Sequence, residues 1–344
     1  MRFLPRRRIR PASLQRWERA ADLPPAWDAA AGTAFRTRAF LTHAERTNPC
    51  RQRYWVWAPQ GRFEAGLIAY ELTLDLLTYR TIKSPLRMTV LGVPCSVAWP
   101  GLIGEPTAQR ALLEQVLTQE RGLVLGLNLP EPVPFPQLAQ GPTLPTLVLE
   151  HDFADWNAYR AALRSDYRRR LANIQRAFDG VARHEGPCDA LDEHGFRLYL
   201  GAYERSDAKL EKLPHAFLRE LPSPFRLTRF TRGGTLLGWH IAAHEPGRST
   251  FFMGGVDQAL NERNKTYFNL LFDVIRQGIA AGSPVIDLGQ TAEVPKLRTG
   301  ALPQPRTMFA SHHRSVARAV LRRAGPLLTW KADLEQPRVF SGTP

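Results

Sequence analysis

At 344 residues the chain is longer than one hydrophobic core usually grows, so two domains are expected, each with a core of its own. Lys and Arg outnumber Asp and Glu by 46 to 32, a net charge of +14, and a field of that sign attracts phosphates, polyanionic cofactors, nucleic acid or anionic lipid headgroups. The three cysteines, Cys50, Cys95 and Cys188, lie far apart without CxxC or nearby histidine spacing, which argues against a disulfide framework and against a zinc site and fits a reducing compartment.

Residues 1–10 carry five arginines and lead into Pro11-Ala12-Ser13 and charged sequence, so they do not read as a signal peptide. No window offers the ~18 uncharged apolar residues of a membrane helix. A cytoplasmic location follows, with peripheral contact to an anionic inner membrane face left open by the charge. Residues 1–50 read as a basic, loosely packed entry segment with an amphipathic stretch around Leu14, Trp17 and Ala21.

From Tyr54 the pattern changes to strands at 54–57, 64–77 (interrupted by Gly66), 88–93 and 96–99, each bounded by Pro or Gly, which predicts a meandering sheet. Residues 107–119 show helical spacing at Leu112, Leu113, Val116 and Leu117, and short strands are expected at 123–129 and 147–149. Between them, residues 130–145 hold six prolines and predict a loop, and the domain boundary is placed near 150.

The second half opens on Trp156, Tyr159, Leu163, Tyr167, Leu171, Ile174 and Phe178 at steps of three and four, which predicts one long helix stopped by Gly180. Its other face carries Arg160, Arg164, Arg168, Arg169, Arg170 and Arg176, with Arg164 and Arg168 one turn apart. Further helices are expected at 194–205 and 212–220. Strands at 225–231, 235–244 and 250–256, joined by Gly-containing turns, predict an antiparallel meander. A helix at 266–281, a buried strand at 284–288 and a basic helix at 316–328, broken by Gly325-Pro326, complete an α+β pattern.

Asp287 ends the buried strand, Gln290 follows three residues on, and Lys296 and Arg298 lie in the next loop. Strand ends are where ligand crevices form; a carboxylate there can orient or deprotonate an amine, and Lys or Arg can hold an acidic group. A loop cap and solvated turn charges are the plainer reading of the same residues. Arg168 and Arg169 read as a phosphate or lipid-headgroup contact or as a solvated helix face. Tyr203, Glu204 and Asp207 sit at a charged helix end. His240 and His244 alternate on one strand without a third ligand, so packing is preferred over metal binding, and Trp239, Phe252 and His312-His313 read as packing or weak signals.

Three stretches resemble the GNAT acyltransferase superfamily and, within it, the Fem-like branch. They are Trp156-Asn157-Ala158-Tyr159 with Leu163 and Arg168-Arg169-Arg170; the run from Thr235-Leu236-Leu237-Gly238 through Phe252 to Asn269; and Ile286-Asp287-Leu288-Gly289-Gln290 with Val294-Pro295-Lys296-Leu297-Arg298-Thr299-Gly300. The resemblance covers roughly 150–310. It implies a GNAT-like mixed sheet flanked by helices in two GNAT-like domains: 51–150, degenerate, and 151–310, the acyltransferase domain, followed by a basic helix and tail at 311–344. It also implies transfer of an acetyl or aminoacyl group to an amine of a small molecule or cell-envelope precursor. Asp287, Gln290 and Tyr203 would be catalytic, Lys296, Arg298, Arg168 and Arg169 would bind substrate, and Val256, Asn264 and Lys265 would hold the donor. No metal and no permanently bound cofactor are implied. The sequence departs from the superfamily at 257–265, where no glycine turn follows Gly255. The donor the resemblance implies is acyl-CoA; the departure at 257–265 opens aminoacyl-tRNA as the alternative donor and favours the rival reading, a non-catalytic protein holding RNA or an anionic membrane.

Overall fold

The computed structural model describes residues 13–75, 85–95, 97–206, 211–330 and 334–342. The arginines of 1–10, residues 76–77 of the strand expected to end there, Ser96, Asp207, Lys209 and Leu210 lie outside the described residues.

The entry segment is part of the core. A first strand β1 (Leu14–Trp17) pairs antiparallel with β2 (Gln52–Trp57), and between them lie α1 (Ala26–Ala31) and α2 (Arg38–Thr47), the latter capped by the Thr37 hydroxyl accepting from the Phe40 amide. Trp27, Phe35, Phe40 and Leu41 are fully buried, so the loose packing expected of residues 1–50 is overturned from residue 14 onward. The interruption expected at Gly66 is absent: it pairs within the next strand opposite Val56, and it is glycine because a Cβ there would lie 2.4 Å from the Trp27 ring.

The strands β3 (Ala65–Asp75), β4 (Pro85–Leu91) and β5 (Leu102–Gly104) follow, then α3 (Pro106–Gln119), β6 (Leu123–Leu129) and β7 (Ala139–Glu150). Residues 97–99 form no strand. The proline-rich stretch is strand from Ala139 onward, where a loop was expected. Its prolines are accommodated because the flank of β7 toward β12 is paired only near its end, and because Leu144 and Pro145 fall at a register shift of the ladder on the other flank.

The expected long helix is two, α4 (Trp156–Ala162) and α5 (Ser165–Arg176). Between them Leu163 bridges Phe340 and Arg164 is extended, its amide donating to Val339, so Arg164 and Arg168 do not share a helical face. Next come β8 (Ala182–Gly186), α6 (Glu193–Arg205), α7 (His215–Arg219) and the expected meander β9 (Phe225–Arg232), β10 (Thr235–Glu245) and β11 (Arg248–Val256). The remaining elements are α8 (Gln258–Asn264), α9 (Thr266–Ala280), β12 (Val285–Asp287), α10 (Glu293–Leu297), β13 (Leu302–His312) and α11 (Ser315–Leu328). The last helix runs through Gly325-Pro326 rather than breaking there. Pro326 lies in its final turn, where the loss of one amide interrupts little of the ladder.

All strands join one mixed sheet in the order β1-β2-β3-β4-β6-β13-β7-β12-β11-β10-β9-β8, with β5 beside β3. Among the described residues only β4–β6 and β11–β12 pair in parallel. The last strand of the chain, β13, lies between β6 and β7, and the sheet crosses residue 150 without interruption. The two halves also share a core: Phe35 stands edge-on to Phe225 and Phe252 at 5.0 and 5.1 Å between ring centroids, arrangements worth about 0.5–1.5 kcal/mol each beyond area burial. On the opposite face, α4, α5 and α9 cover a second core of Leu147, Leu149, Tyr159, Ile275 and Ile286. Among the described residues no helix is long and apolar enough to cross a membrane.

Candidate active site

The parallel pairing of β11 with β12 ends at Thr250 opposite Asp287. Beyond that point the chain after β12 turns toward β7, with Leu288 donating to Leu147 and Leu147 donating to Gly289, while β11 runs on to Val256. A fork opens between the two strands, the place where one parallel strand leaves another and backbone groups become available to a ligand.

Three of the residues expected at the site meet at this fork. Asp287 is 3% exposed; one carboxylate oxygen accepts from the Thr146 hydroxyl at 2.6 Å and the Gly289 amide at 2.9 Å, and the other accepts from the Arg248 guanidinium at 3.2 Å. With those donors in place it anchors the fork. Gln290 donates to the Asn128 side chain at 3.0 Å and to the Leu144 carbonyl, tying β6 and β7 to the loop. Lys296 is 2% exposed, and its ammonium donates to the carbonyls of Gly289 at 3.2 Å and Gln290 at 2.6 Å. Burial lowers its pKa to about 7, with Asp287 and Glu293 opposing the fall. The loop that aims these carbonyls holds Thr291 and Ala292 at φ +60° and +48°, left-handed values that non-glycine residues take only under constraint.

A second group of the expected residues meets in a groove of about 980 Å3 on the α5 and α9 side of the sheet. Arg169 and Arg170 line it from α5, Lys265 from the start of α9, and Arg298 from just beyond α10, over an apolar floor that includes Ile174, Phe268 and Leu297. Asp166 and Glu335 leave its rim net positive. Lys265, at φ +51°, is the left-handed joint by which α8 turns into α9, so a short helix stands where a glycine turn would open the superfamily's core helix. Leu297 and Arg298 of the groove directly follow Lys296 of the fork. A helix start surrounded by cations suits a phosphate-bearing ligand.

The other expected residues lie apart. Asn264 is buried, its side chain accepting from Arg232 and donating to the Leu260 carbonyl, and it serves the α8–α9 joint. Val256 packs with Phe230 and Leu270. Arg168 donates to the Leu163 carbonyl and is not among the groove's lining residues. Tyr203 sits on α6, with the Lys212 ammonium 5.9 Å from its ring. His240 pairs with Asp273 at 3.1 Å, and His244 with Ser249 and Gln277.

Sequence reasoning missed Thr146, Asn128 and Arg248, because a threonine in a proline-rich run and an arginine after a turn glycine carry no motif. It also missed Glu211. That side chain is 8% exposed, neither oxygen has a hydrogen-bond partner among the described residues, and burial raises its pKa to about 8.

Residues 161–296 match the family model of an acetyltransferase (GNAT) domain, a span that contains β8 to β12, most of the groove and the fork up to Lys296. This part of the chain is similar to GNAT acetyltransferase domains. Among solved structures, a tandem GNAT protein from the clavulanic acid biosynthesis pathway is similar with a TM-score of 0.50 at 12% identity, over 88% of this chain and 99% of that one, a likeness of fold across both halves. L-PGS from Bacillus licheniformis is similar with a TM-score of 0.49 at 10% identity, over 83% and 92% of the two chains, and FemX with 0.45 at 7%, over 78% and 89%. No curated protein matches the sequence.

Proposed function

We propose that the protein is an N-acyltransferase of the Fem-like kind, which takes its acyl group from a phosphate-bearing activated donor seated in the groove and passes it to a primary amine at the fork. The observation that carries this reading is the convergence of four cations on the start of α9, three of them (Arg169, Arg170 and Lys265) inside the matched GNAT segment and Arg298 just beyond it, next to a buried lysine with a near-neutral pKa.

In this reading Arg169, Arg170, Lys265 and Arg298 hold the donor's phosphates, and charge-assisted bonds to such groups are the stronger kind. The acyl carbonyl lies at the fork. Lys296 in its neutral form donates two N–H bonds to Gly289 and Gln290, which leaves its lone pair to accept the proton of the attacking amine. The new C–N bond forms, the C–S or C–O bond to the donor breaks, and the proton returns from Lys296 to the leaving group. Asp287 and Gln290 act by positioning, since both are committed to protein partners. Alignment of the two reactants supplies most of the acceleration in such a scheme.

Acyl-CoA is the first donor to test. Aminoacyl-tRNA is favoured by one specific observation: exposed arginines at 160, 164, 168 and 176 continue the basic surface past the groove. The acceptor is a small-molecule or cell-envelope precursor amine. Thermal shift with acetyl-CoA, free coenzyme A and deacylated tRNA separates the donors, because a ligand specific to the folded state raises the midpoint with ln(1 + [L]/Kd). The expected result is a rise with at least one of them that shrinks in Arg169→Gln and Arg298→Gln. No rise with any would leave the non-catalytic binding protein as the better account.

A further inference from the structure

On the face of the sheet away from the groove, next to Asp287, three arginines from distant parts of the chain gather around Trp99. The guanidinium of Arg36 lies 5.0 Å from the Trp99 ring centroid and that of Arg248 lies 5.1 Å from it. Arg306, from β13, donates to the Ala98 carbonyl next to that tryptophan and is within electrostatic reach of both Asp287 and Arg248. The charges do not cancel. Arg248 is paired with Asp287 at 3.2 Å and Arg36 feels Glu245, whereas the hydrogen bonds of Arg306 among the described residues go only to the Ala98 and Pro305 carbonyls.

Donors in this cluster also lack acceptors. The Nε of Arg36, a residue 8% exposed, and the indole N–H of Trp99 are buried without a hydrogen-bond partner, as is the hydroxyl of Thr250, the residue opposite Asp287 in the ladder. Unpaired buried donors cost stability, about 1–3 kcal/mol each, and three beside an uncompensated guanidinium describe a place short of an acceptor. Arg248 is a quarter exposed and Trp99 and Arg306 are partly exposed, so the cluster is open to solvent. It adjoins the fork through Asp287, on the opposite side of the sheet from the groove.

We propose that Arg306 and Arg248, with Trp99 between β4 and β5, bind an oxyanion carried by the amine acceptor, so that the acceptor class is an amine bearing a carboxylate or phosphate group. This rests on the acyltransferase reading for the word acceptor, but the anion site stands on its own geometry. It explains why Asp287 is pinned: it holds Arg248 in place, while Arg306 is left with charge to spare for the ligand. It also gives the position of β13 a purpose, since that strand brings Arg306 across to the fork.

The probes are inorganic phosphate and acetate, titrated calorimetrically in an Arg298→Gln background, which weakens phosphate binding in the groove, with Arg306 kept, changed to Gln or changed to Lys, each protein first checked for an unchanged urea midpoint. Arg306 is the variant of choice because its hydrogen bonds among the described residues go only to two backbone carbonyls, so its loss leaves the Asp287 pair intact. At least one probe should bind the Arg298→Gln protein saturably, and at least tenfold more weakly once Arg306→Gln is added, with partial recovery when Arg306→Lys is added instead. Preference for phosphate would indicate a phosphorylated acceptor and preference for acetate a free carboxylate. Equal binding with and without Arg306→Gln, or no saturable binding of either probe to the Arg298→Gln protein, would overturn the site. Anion binding lost in Arg306→Gln, in a protein that shows no thermal shift with acetyl-CoA, coenzyme A or tRNA, would refute the acceptor role and the acyltransferase reading while the anion site remained.

Discussion

Raising the pH from 7 to 9 should stabilise the folded protein through Lys296. Its side chain is 2% exposed, and burial takes its pKa from the ordinary 10.5 down to about 7. Between those values the unfolded chain holds a proton on this group that the native state has released, so stability rises with pH across that window and the penalty is complete below pH 7. Linkage over the accessible half of the window, from pH 7 to 9, gives about 2 kcal/mol. Other lysines and tyrosines also titrate at high pH, so the quantity to follow is the difference between wild type and Lys296→Met, which fills much the same volume without the charge. The assay is urea unfolding followed by tryptophan fluorescence at fixed ionic strength, comparing midpoints at constant m. Wild type should gain about 2 kcal/mol on the variant between pH 7 and 9. Parallel pH dependences would mean that Lys296 stays charged in the native state, and the proton-accepting role assigned to it would go with them.

Glu211 should show the opposite dependence. Its folded pKa of about 8 lies above the ordinary 4.5, so the native state holds the extra proton and stability falls as pH rises between those values. Wild type should lose about 2 kcal/mol relative to Glu211→Gln between pH 5 and 7, a loss read from the same urea midpoints. Glu120 is buried where Arg53 donates to it and Trp55 donates at 2.9 Å, so Glu120→Ala removes the buried partner of Arg53, leaves it only the partly exposed Glu71 and the Thr89 hydroxyl, and should cost about 3 kcal/mol in an unfolding titration. In the groove, Arg169→Gln and Arg298→Gln should each weaken the donor about tenfold by calorimetry, with circular dichroism unchanged. If tRNA is the ligand, each should also reduce the slope of log K against log salt by about 1.

Much of the fold was legible in the sequence because it is local. The meander of β9 to β11 and helix α9 follow from alternation, turn glycines and helical spacing, and those cues survive in any context. The break between α4 and α5 was not legible, since Leu163 keeps the helical stripe intact; what stops the helix is the Phe340 and Val339 segment, which arrives from the far end of the chain. The strand at 139–150 was hidden by its prolines, whose tolerance depends on which flank lacks a partner. At the site, Asp287, Gln290 and Lys296 could be named because they lie within ten residues of one another. Their partners Thr146, Asn128 and Arg248 are remote, and so the sequence offered Asp287 as a base or an orienting group without showing the three donors that occupy its carboxylate.

That occupancy bears on how the fork can work. A carboxylate holding three donors is committed to positioning, whereas the amine held at the same fork by two carbonyls has its pKa lowered by burial to about 7. The two groups therefore divide the tasks that one residue was expected to perform. Asp287 fixes Arg248 and the strand end, and Lys296, one turn of chain away, is left to titrate. The arrangement needs β7 for Thr146, β6 for Asn128 and β13 between them, which is why the matched segment of 161–296 ends at the lysine but does not contain everything that holds the lysine's surroundings in place. The first half of the chain supplies part of the second half's site, and the interleaved strand order is the physical form of that dependence.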